Sequence, residues 1–519
     1  MSKQSSFYLT TPIYYVNSIP HLGTAYTTIA ADALARYRRM RGDDVWFLTG
    51  LDEHGQKVEQ AATENGVSPT EWADRMSTKF HEAWELLNIS NDDFIRTTEP
   101  RHERGVRQLL RVLYDRGDIY KGNYEGWYCV PCETYFAEDQ LHEGRTCPQC
   151  GRKVEFVFED NYFFKLSAYQ ERLLAYYEAN PGFIGPETRK NEVLSFVKGG
   201  LRDLSISRAN VKWGIPLPFD ESHTVYVWFD ALINYITAVG YGDSSKTADF
   251  ARRWPAQFHF VGKDIIRFHC VIWPAMLMAA DIPLPERVFA HGFLLTKGEK
   301  MSKSKGNAMA PADLVAKFGV DAYRYYFLRE VQFGLDGSIS LEAMVQRYNG
   351  DLANDWGNLC SRLFNMVGKY CDGSVPIAGS DPTADDAELR AIADGLPSAF
   401  AQRMESLDYA GALDEVWSLI KRTNRYIEDA APWNLAKSDE TAERLRMVIY
   451  NALEAVRVAA LFTAPVMPAT STEVWRRIGL GDPLAVTDID AEAVWGGLPA
   501  GNPVVKGDAL FQRIVEDAE

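Results

Sequence analysis

No run of about twenty consecutive apolar residues occurs in the chain, so a membrane-spanning helix is not expected. The first residues lack a basic stretch followed by an apolar one, and no signal peptide is expected. Cysteine is scarce, seven in 519 residues, and four of the seven cluster. That usage suits a reducing compartment better than a disulfide framework, so a cytoplasmic protein is expected. Positive charge is short as well: 55 Lys and Arg stand against 71 Asp and Glu, a net charge of −16. The balance speaks against a uniformly basic surface. A local basic patch still suffices to hold a nucleic acid over a Debye length of about 8–10 Å. Candidates are Arg36, Arg38, Arg39 and Arg41, then residues 297–305, then Lys421, Arg422 and Arg425. Each reads equally well as an ordinary solvated face.

What is present fits a soluble globular protein of two to four domains, with 46% hydrophobic and 24% charged residues. The chain is organised around its first forty residues. Phe7-Tyr8-Leu9-Thr10-Thr11 reads as a buried strand and residues 12–20 as a loop. His21-Leu22-Gly23-Thr24 then opens a helix over 25–40. A strand that leads through a loop onto a helix N-terminus offers free N–H groups and a positive dipole end to phosphate. Gly23 has no Cβ to keep a ligand off the backbone, and His21 adds a donor. Taken alone, a His and a Gly at a helix start read as structural more readily than catalytic. Near residue 300 stands a second feature, Lys300-Met301-Ser302-Lys303-Ser304, flanked by Gly298 and Gly306. Two lysines three apart among small residues suit a loop that closes over a triphosphate. A solvated basic loop is the plain alternative.

The pair, His-x-Gly-x early and this pentamer late, resembles the two signatures of class I aminoacyl-tRNA synthetases. Further stretches resemble the methionyl-tRNA synthetases among them, from Phe7 to about Met467. The resemblance implies an α/β fold with a Rossmann-type parallel-sheet catalytic domain in two halves, 1–118 and 222–290. A connective insertion with a zinc knuckle fills 119–221, a linker with the lysine loop 291–345, and an all-α helical-bundle anticodon-binding domain 346–519. It implies a ligase that activates L-methionine with ATP and Mg2+, then charges tRNA(Met), the initiator included. No appended C-terminal domain is visible, so a monomer is expected.

Residue by residue, the resemblance makes His21, Lys300 and Lys303 catalytic. It assigns ATP to His21, Gly23, Thr24, Asp264, His291, Gly292, Leu294 and Lys303. It assigns methionine to Ile13, Tyr15, Asp52, Trp228, Ala231, Leu232, Tyr235, Ile265, Phe268 and His269. The residues themselves leave alternatives open. Residues 45–50 read as the second parallel strand, whose end puts Asp52 at a ligand site, yet Asp52 reads also as an N-cap for a helix near Gln56. Residues 225–230 read as a further strand, where Trp228 and Tyr235 supply aromatic walls suited to a thioether or simply core. His269 reads equally as a satisfied core histidine. One position departs from the family pattern: Thr24 stands where His is usual, and a hydroxyl donates a hydrogen bond but carries no charge.

Cys129-x-x-Cys132 and Cys147-x-x-Cys150 are two knuckles of the kind that aim four thiolates at one zinc ion. Such a closed shell is structural, and metal-free reduced thiols are the alternative. After residue 340 the periodicity is helical throughout, with helices expected over 351–369, 386–404, 408–429 and 442–462. Asn358 and Arg362 fall on one helix face. Trp433, which composition alone assigns to core, joins them in the resemblance as a reader of the anticodon. The last fifty residues carry little signal. Rival readings are a class I synthetase for another amino acid, such as the cysteinyl or leucyl enzyme, and a non-catalytic protein that binds tRNA or methionine.

Overall fold

The computed structural model describes residues 5–129, 134–136, 138–148, 150–296, 299–300 and 310–515. Cys132 and Lys303 lie outside the described residues, and of Lys300 only the backbone is described. The apolar start becomes β1 (Ser6–Tyr15). It runs past the loop expected at 12–20, because a register shift between Thr10 and Ile13 lets pairing with β2 (Asp44–Asp52) continue as far as Tyr15 opposite Asp52. Helix α1 (Leu22–Met40) also begins before residue 25, with His21 as its cap. β3 (Asp93–Arg96), β4 (Ile184–Gly185), β5 (Phe258–Gly262) and β6 (Val288–His291) complete a sheet in the order β3-β2-β1-β5-β6-β4. Every pairing in it is parallel. The strand order reverses between β1 and β5, and open α/β sheets hold ligands beyond the carboxyl ends of the strands at such a reversal.

The strand expected over 225–230 is not there. Asp220–Val225 belongs to a separate three-stranded antiparallel sheet, and Val227–Leu232 is a helix. A short apolar run buried on all sides does not tell strand from helix by periodicity. The expected insertion forms a four-stranded antiparallel sheet from Thr134–Phe136, Ile119–Cys129, Glu155–Phe164 and Leu204–Ser205. It also lends β4 to the edge of the main sheet, so the two are bound together through backbone.

Helices Asn358–Tyr370, Ala384–Glu405, Tyr409–Ala430 and Ala442–Thr463 form the bundle. The last is buried on nearly every side from Leu445 on, as befits its central place. Residues 470–515 strap across it. Glu454 accepts the N–H groups of Gly496, Gly497 and Leu498 at 2.8–3.0 Å, and Arg457 donates to Val494 O at 2.9 Å. The Val375 N–H donates to Asn502 O and the Val504 N–H to Gly373 O. These contacts join residues far apart in the chain, which is why local sequence gives no hint of them.

The bundle and the parallel sheet share one apolar core, and a fully buried ion pair crosses it. Arg324 Nη2 lies 2.6 Å from Asp32 Oδ2, with neither side chain exposed. Arg324 also donates to Val466 O, Pro465 O and Leu87 O. Asp32 accepts further from Arg36 at 2.7 Å and from the Ser90 N–H and hydroxyl, both at 2.6 Å. Burial alone would raise the Asp32 carboxyl, but the two guanidinium groups outweigh it and hold it at about 2. Arg324→Met is expected to cost about 3–5 kcal/mol, since it strands a buried carboxylate and several carbonyls. Adding Asp32→Asn should recover part of that loss. Urea midpoints of the single and double variants measure it, and equal midpoints would assign the loss to packing instead of charge.

Candidate active site

The site starts from how α1 begins. His21 has an extended backbone, φ −121° and ψ 174°. Its Nδ1 accepts from the N–H of Gly23 at 3.0 Å and of Thr24 at 3.4 Å. A ring nitrogen that accepts carries no proton, so the imidazole proton sits on Nε2 as a donor. Thr24 returns the contact: its Oγ1 accepts from His21 N–H at 2.9 Å and donates to His21 O at 2.7 Å. This reciprocal capping box gives the hydroxyl at position 24 a definite task, holding His21. Gly23 is needed for the same reason. A Cβ there would sit 3.0 Å from His21 Cε1 and 3.1 Å from Nδ1, pressing on the ring.

A cavity of about 560 Å³ opens beside this cap at the carboxyl ends of the strands. Its lining takes in His21, Gly23, Thr24, Asp264, His291, Gly292 and Leu294 on one side. Ile13, Tyr15, Asp52, Trp228, Ala231, Leu232, Tyr235, Ile265 and His269 line the other. Phe268 is the exception: it stacks behind Trp228, ring centroids 4.4 Å apart, and does not line the cavity. Sequence reading missed Thr27 and Phe80, which also line it. They carry no local motif and arrive by packing.

Asp52 is buried at the end of β2. It does not cap the following helix, whose N-cap is Gly55 with no side-chain hydrogen bond. Tyr235 and His269 are a hydrogen-bonded pair. His269 Nδ1 lies 3.1 Å from Ile265 O and so carries the proton, leaving Nε2 to accept from the Tyr235 hydroxyl at 2.7 Å. Burial drives His269 down to about 4 and Tyr235 far upward. This part of the wall is therefore polar at two atoms yet uncharged at neutral pH.

On the opposite side, β5 and β6 are tied by one carboxylate. Asp336 takes Lys263 Nζ at 2.7 Å on both oxygens and accepts from Phe293 N–H at 2.8 Å. Gly292 lies so close to this segment that a Cβ would come within 2.3 Å of Leu335 C. The turn after β6 thus presents its backbone to the cavity.

Two features lie apart. The sulfur atoms of Cys129, Cys147 and Cys150 lie within 4.8 Å of one another, two of the residues buried. Three soft donors that close together suit a metal ion. In the bundle, Arg362 donates to Asn424 Oδ1 at 2.8 Å and lies 3.5 Å from Glu428. Asn358 is exposed one turn earlier. Trp433 is 45% exposed on the short helix Pro432–Leu435, so the core assignment made on composition fails. Of the three expected basic patches, the side chains of 297–305 lie outside the described residues, and the arginines of the other two are paired. Arg36, Arg38, Arg39 and Arg41 face Asp32, Asp43, Asp92 and Asp490, and Arg422 and Arg425 face Asp385, Glu388 and Asp429.

Comparison with known proteins agrees over the whole length. The family "tRNA synthetases class I (M)" matches residues 7–156 and 151–364, and "Anticodon binding domain of methionyl tRNA ligase" matches 375–519. A methionine–tRNA ligase of Streptomyces coelicolor is 50% identical over 528 aligned residues, covering 98% of this chain and 97% of its own. That of Caldanaerobacter subterraneus subsp. tengcongensis is 48% identical, covering 99% of this chain and 80% of its own. The Mycobacterium tuberculosis methionyl-tRNA synthetase solved with methionyl-adenylate superposes with a TM-score of 0.94 at 46% identity, covering 98% of this chain and all of that one.

The neutral His269 ring links the site to acid stability. Its ordinary value is 6.5 and burial holds it at about 4 in the folded chain. Between these values the unfolded state binds the extra proton, so the ring's contribution is full above pH 6.5 and is lost as pH falls towards 4. The gap corresponds to about 3 kcal/mol. His269→Gln should therefore lose stability less steeply than the parent from pH 6.5 to 4.5, as read from urea midpoints. Parallel curves would clear His269 of a part in acid sensitivity.

Proposed function

The chain belongs to the class I methionyl-tRNA synthetases, and we propose that the cavity is where it joins methionine to ATP before charging tRNA(Met). The observation that carries the reading is the meeting, around one cavity, of a capped helix N-terminus, a buried carboxylate and an uncharged aromatic pair. The methionine carboxylate attacks the α-phosphate of ATP and pyrophosphate leaves. The nucleophile is already ionised, so no protein base is needed, and catalysis rests on position and charge stabilisation.

His21 donates from Nε2 to a phosphate oxygen as charge shifts there, and Thr24 acts through His21 by holding its backbone. Gly23 and the first N–H groups of α1 face the phosphates. Lys300 and Lys303 contribute positive charge to the phosphates, and Mg2+ bound with ATP would add further neutralisation. Asp264 takes the ribose, and the backbone of His291, Gly292 and Leu294 takes adenine. Asp52 binds the α-ammonium group. Ile13, Tyr15, Trp228, Ala231, Leu232, Ile265 and the Tyr235–His269 pair enclose the thioether, with Phe268 bracing Trp228 from behind.

In the second step the methionyl group passes to the 2′-OH of the terminal adenosine of tRNA(Met), and Asn358, Arg362 and Trp433 read the anticodon. Cys129, Cys147 and Cys150, completed by Cys132, would hold one zinc ion whose four thiolates leave no open position, a structural role. Action as a monomer in the cytoplasm belongs to the same proposal, and the unbonded thiols of Cys270, Cys360 and Cys371 fit a reducing compartment.

ATP–pyrophosphate exchange against all twenty amino acids, without tRNA, is expected to respond to methionine alone. Exchange driven by another amino acid would keep the class and refute the pocket. Lys303→Ala should slow adenylate formation tenfold or more with methionine affinity near the parent's. Trp433→Ala should weaken charging of tRNA and leave exchange intact. Loss of both activities would give Trp433 a structural part.

A further inference from the structure

We propose that Asp230 is a positioning residue for methionine: shared between His54 and His102, its carboxylate sets the placement of Asp52 against the wall of Trp228 and Ala231. The inference rests on the reading above that these three residues receive methionine. Asp230 is 1% exposed, in the middle of the helix Val227–Leu232 that carries Trp228, Ala231 and Leu232 to the cavity. It does not itself line the cavity. Its Oδ2 accepts from His54 Nδ1 at 2.7 Å, and its Oδ1 accepts from His102 Nε2 at 2.8 Å.

The two histidines come from different elements. His54 stands two residues after Asp52. From the outer side the same turn is held by Trp213, whose ring meets His54 edge-on at 5.7 Å. Trp213 Nε1 donates to Glu53 O at 2.5 Å, and its carbonyl accepts from Gly55 N–H at 3.1 Å. His102 is wholly buried in the helix Pro100–Asp115, with its Nδ1 3.0 Å from Thr237 Oγ1. One carboxylate thus fixes three segments: the turn bearing Asp52, the helix bearing the aromatic wall, and a helix of the scaffold. Phe268 presses on Trp228 from the other side. A shift of either wall would misplace the ammonium group against the thioether, and a bound geometry is sensitive to errors of about 1 Å.

Mimics of each ring nitrogen make the test selective, because Asn places its amide nitrogen near a His Nδ1 and Gln near a His Nε2. In the full chain, ATP–pyrophosphate exchange is measured with methionine and ATP titrated separately. Asp230→Asn keeps the shape but turns one acceptor into a donor. It is expected to raise the KM for methionine tenfold or more, with the KM for ATP within about twofold. His54→Asn and His102→Gln should keep the methionine KM within about threefold, whereas His54→Gln and His102→Asn should raise it tenfold or more. Parental methionine KM in Asp230→Asn, or equal effects of Asn and Gln at both histidines, overturns the proposal. If Asp230→Asn fails to fold, the histidine series decides alone. Asp52→Asn separates the two levels: an unchanged methionine KM there sinks the underlying pocket assignment, and a raised one with parental Asp230→Asn sinks only the part given to Asp230.

Discussion

The ion pair of Asp32 and Arg324 is the constraint on which the arrangement depends. Both charges are fully buried, and such a pair holds only while each remaining polar atom finds a partner. Those partners come from α1, from the turn at 87–90, from the helix Val320–Glu330 and from the stretch at 465–466 that follows the long bundle helix. No one segment can move without leaving a charge or a carbonyl unpaired in apolar surroundings. Net stability from such a pair is small. What it enforces is a single relative placement of sheet and bundle, reinforced where the Tyr409 hydroxyl donates to Ala30 O at 2.7 Å.

Helix α1 joins this hub to the chemistry. Its middle is pinned by Asp32 and its first turn by the His21–Thr24 box, so the imidazole sits at the end of a rod anchored at two points. The departure from the family pattern at position 24 then has a physical reading. A hydroxyl cannot share phosphate charge as an imidazolium can, but it satisfies the backbone on both sides of His21. The proposed task falls to one oriented donor and the helix N-terminus in place of two rings.

The sequence was most legible where local pattern and chemistry coincide. The β1–α1 start follows from a strand end and a helix start, and the bundle helices follow from periodicity, whereas most cavity residues were legible only through the family resemblance. It was least legible where burial overrides periodicity. The run at 225–229 is apolar on both faces, so its helix was hidden, and Phe268 was placed in the pocket by the resemblance alone. Charges misled for a related reason. Arg39 and Arg41 read as part of a basic patch because their carboxylate partners, Asp92 and Asp490, are distant in sequence. Asp230, Asp336 and Arg324 belong to no motif, and only the fold brings their partners within reach.

Those engaged arginines bear on how an acidic chain meets a polyanion. An arginine already paired to a carboxylate contributes little net field beyond a Debye length. Long-range steering by the face of α1 is thereby weak, and the site gains its discrimination at short range. On the proposed assignment, the cavity does the same for its amino acid. Tyr235 and His269 are kept neutral by burial and saturated by each other and by Ile265 O. A branched apolar side chain gains nothing from those two polar atoms, and a charged one finds no counter-ion in the pair. A flexible, weakly accepting side chain loses least on entering. Selection then rests less on attraction to the right ligand than on the cost imposed on wrong ones.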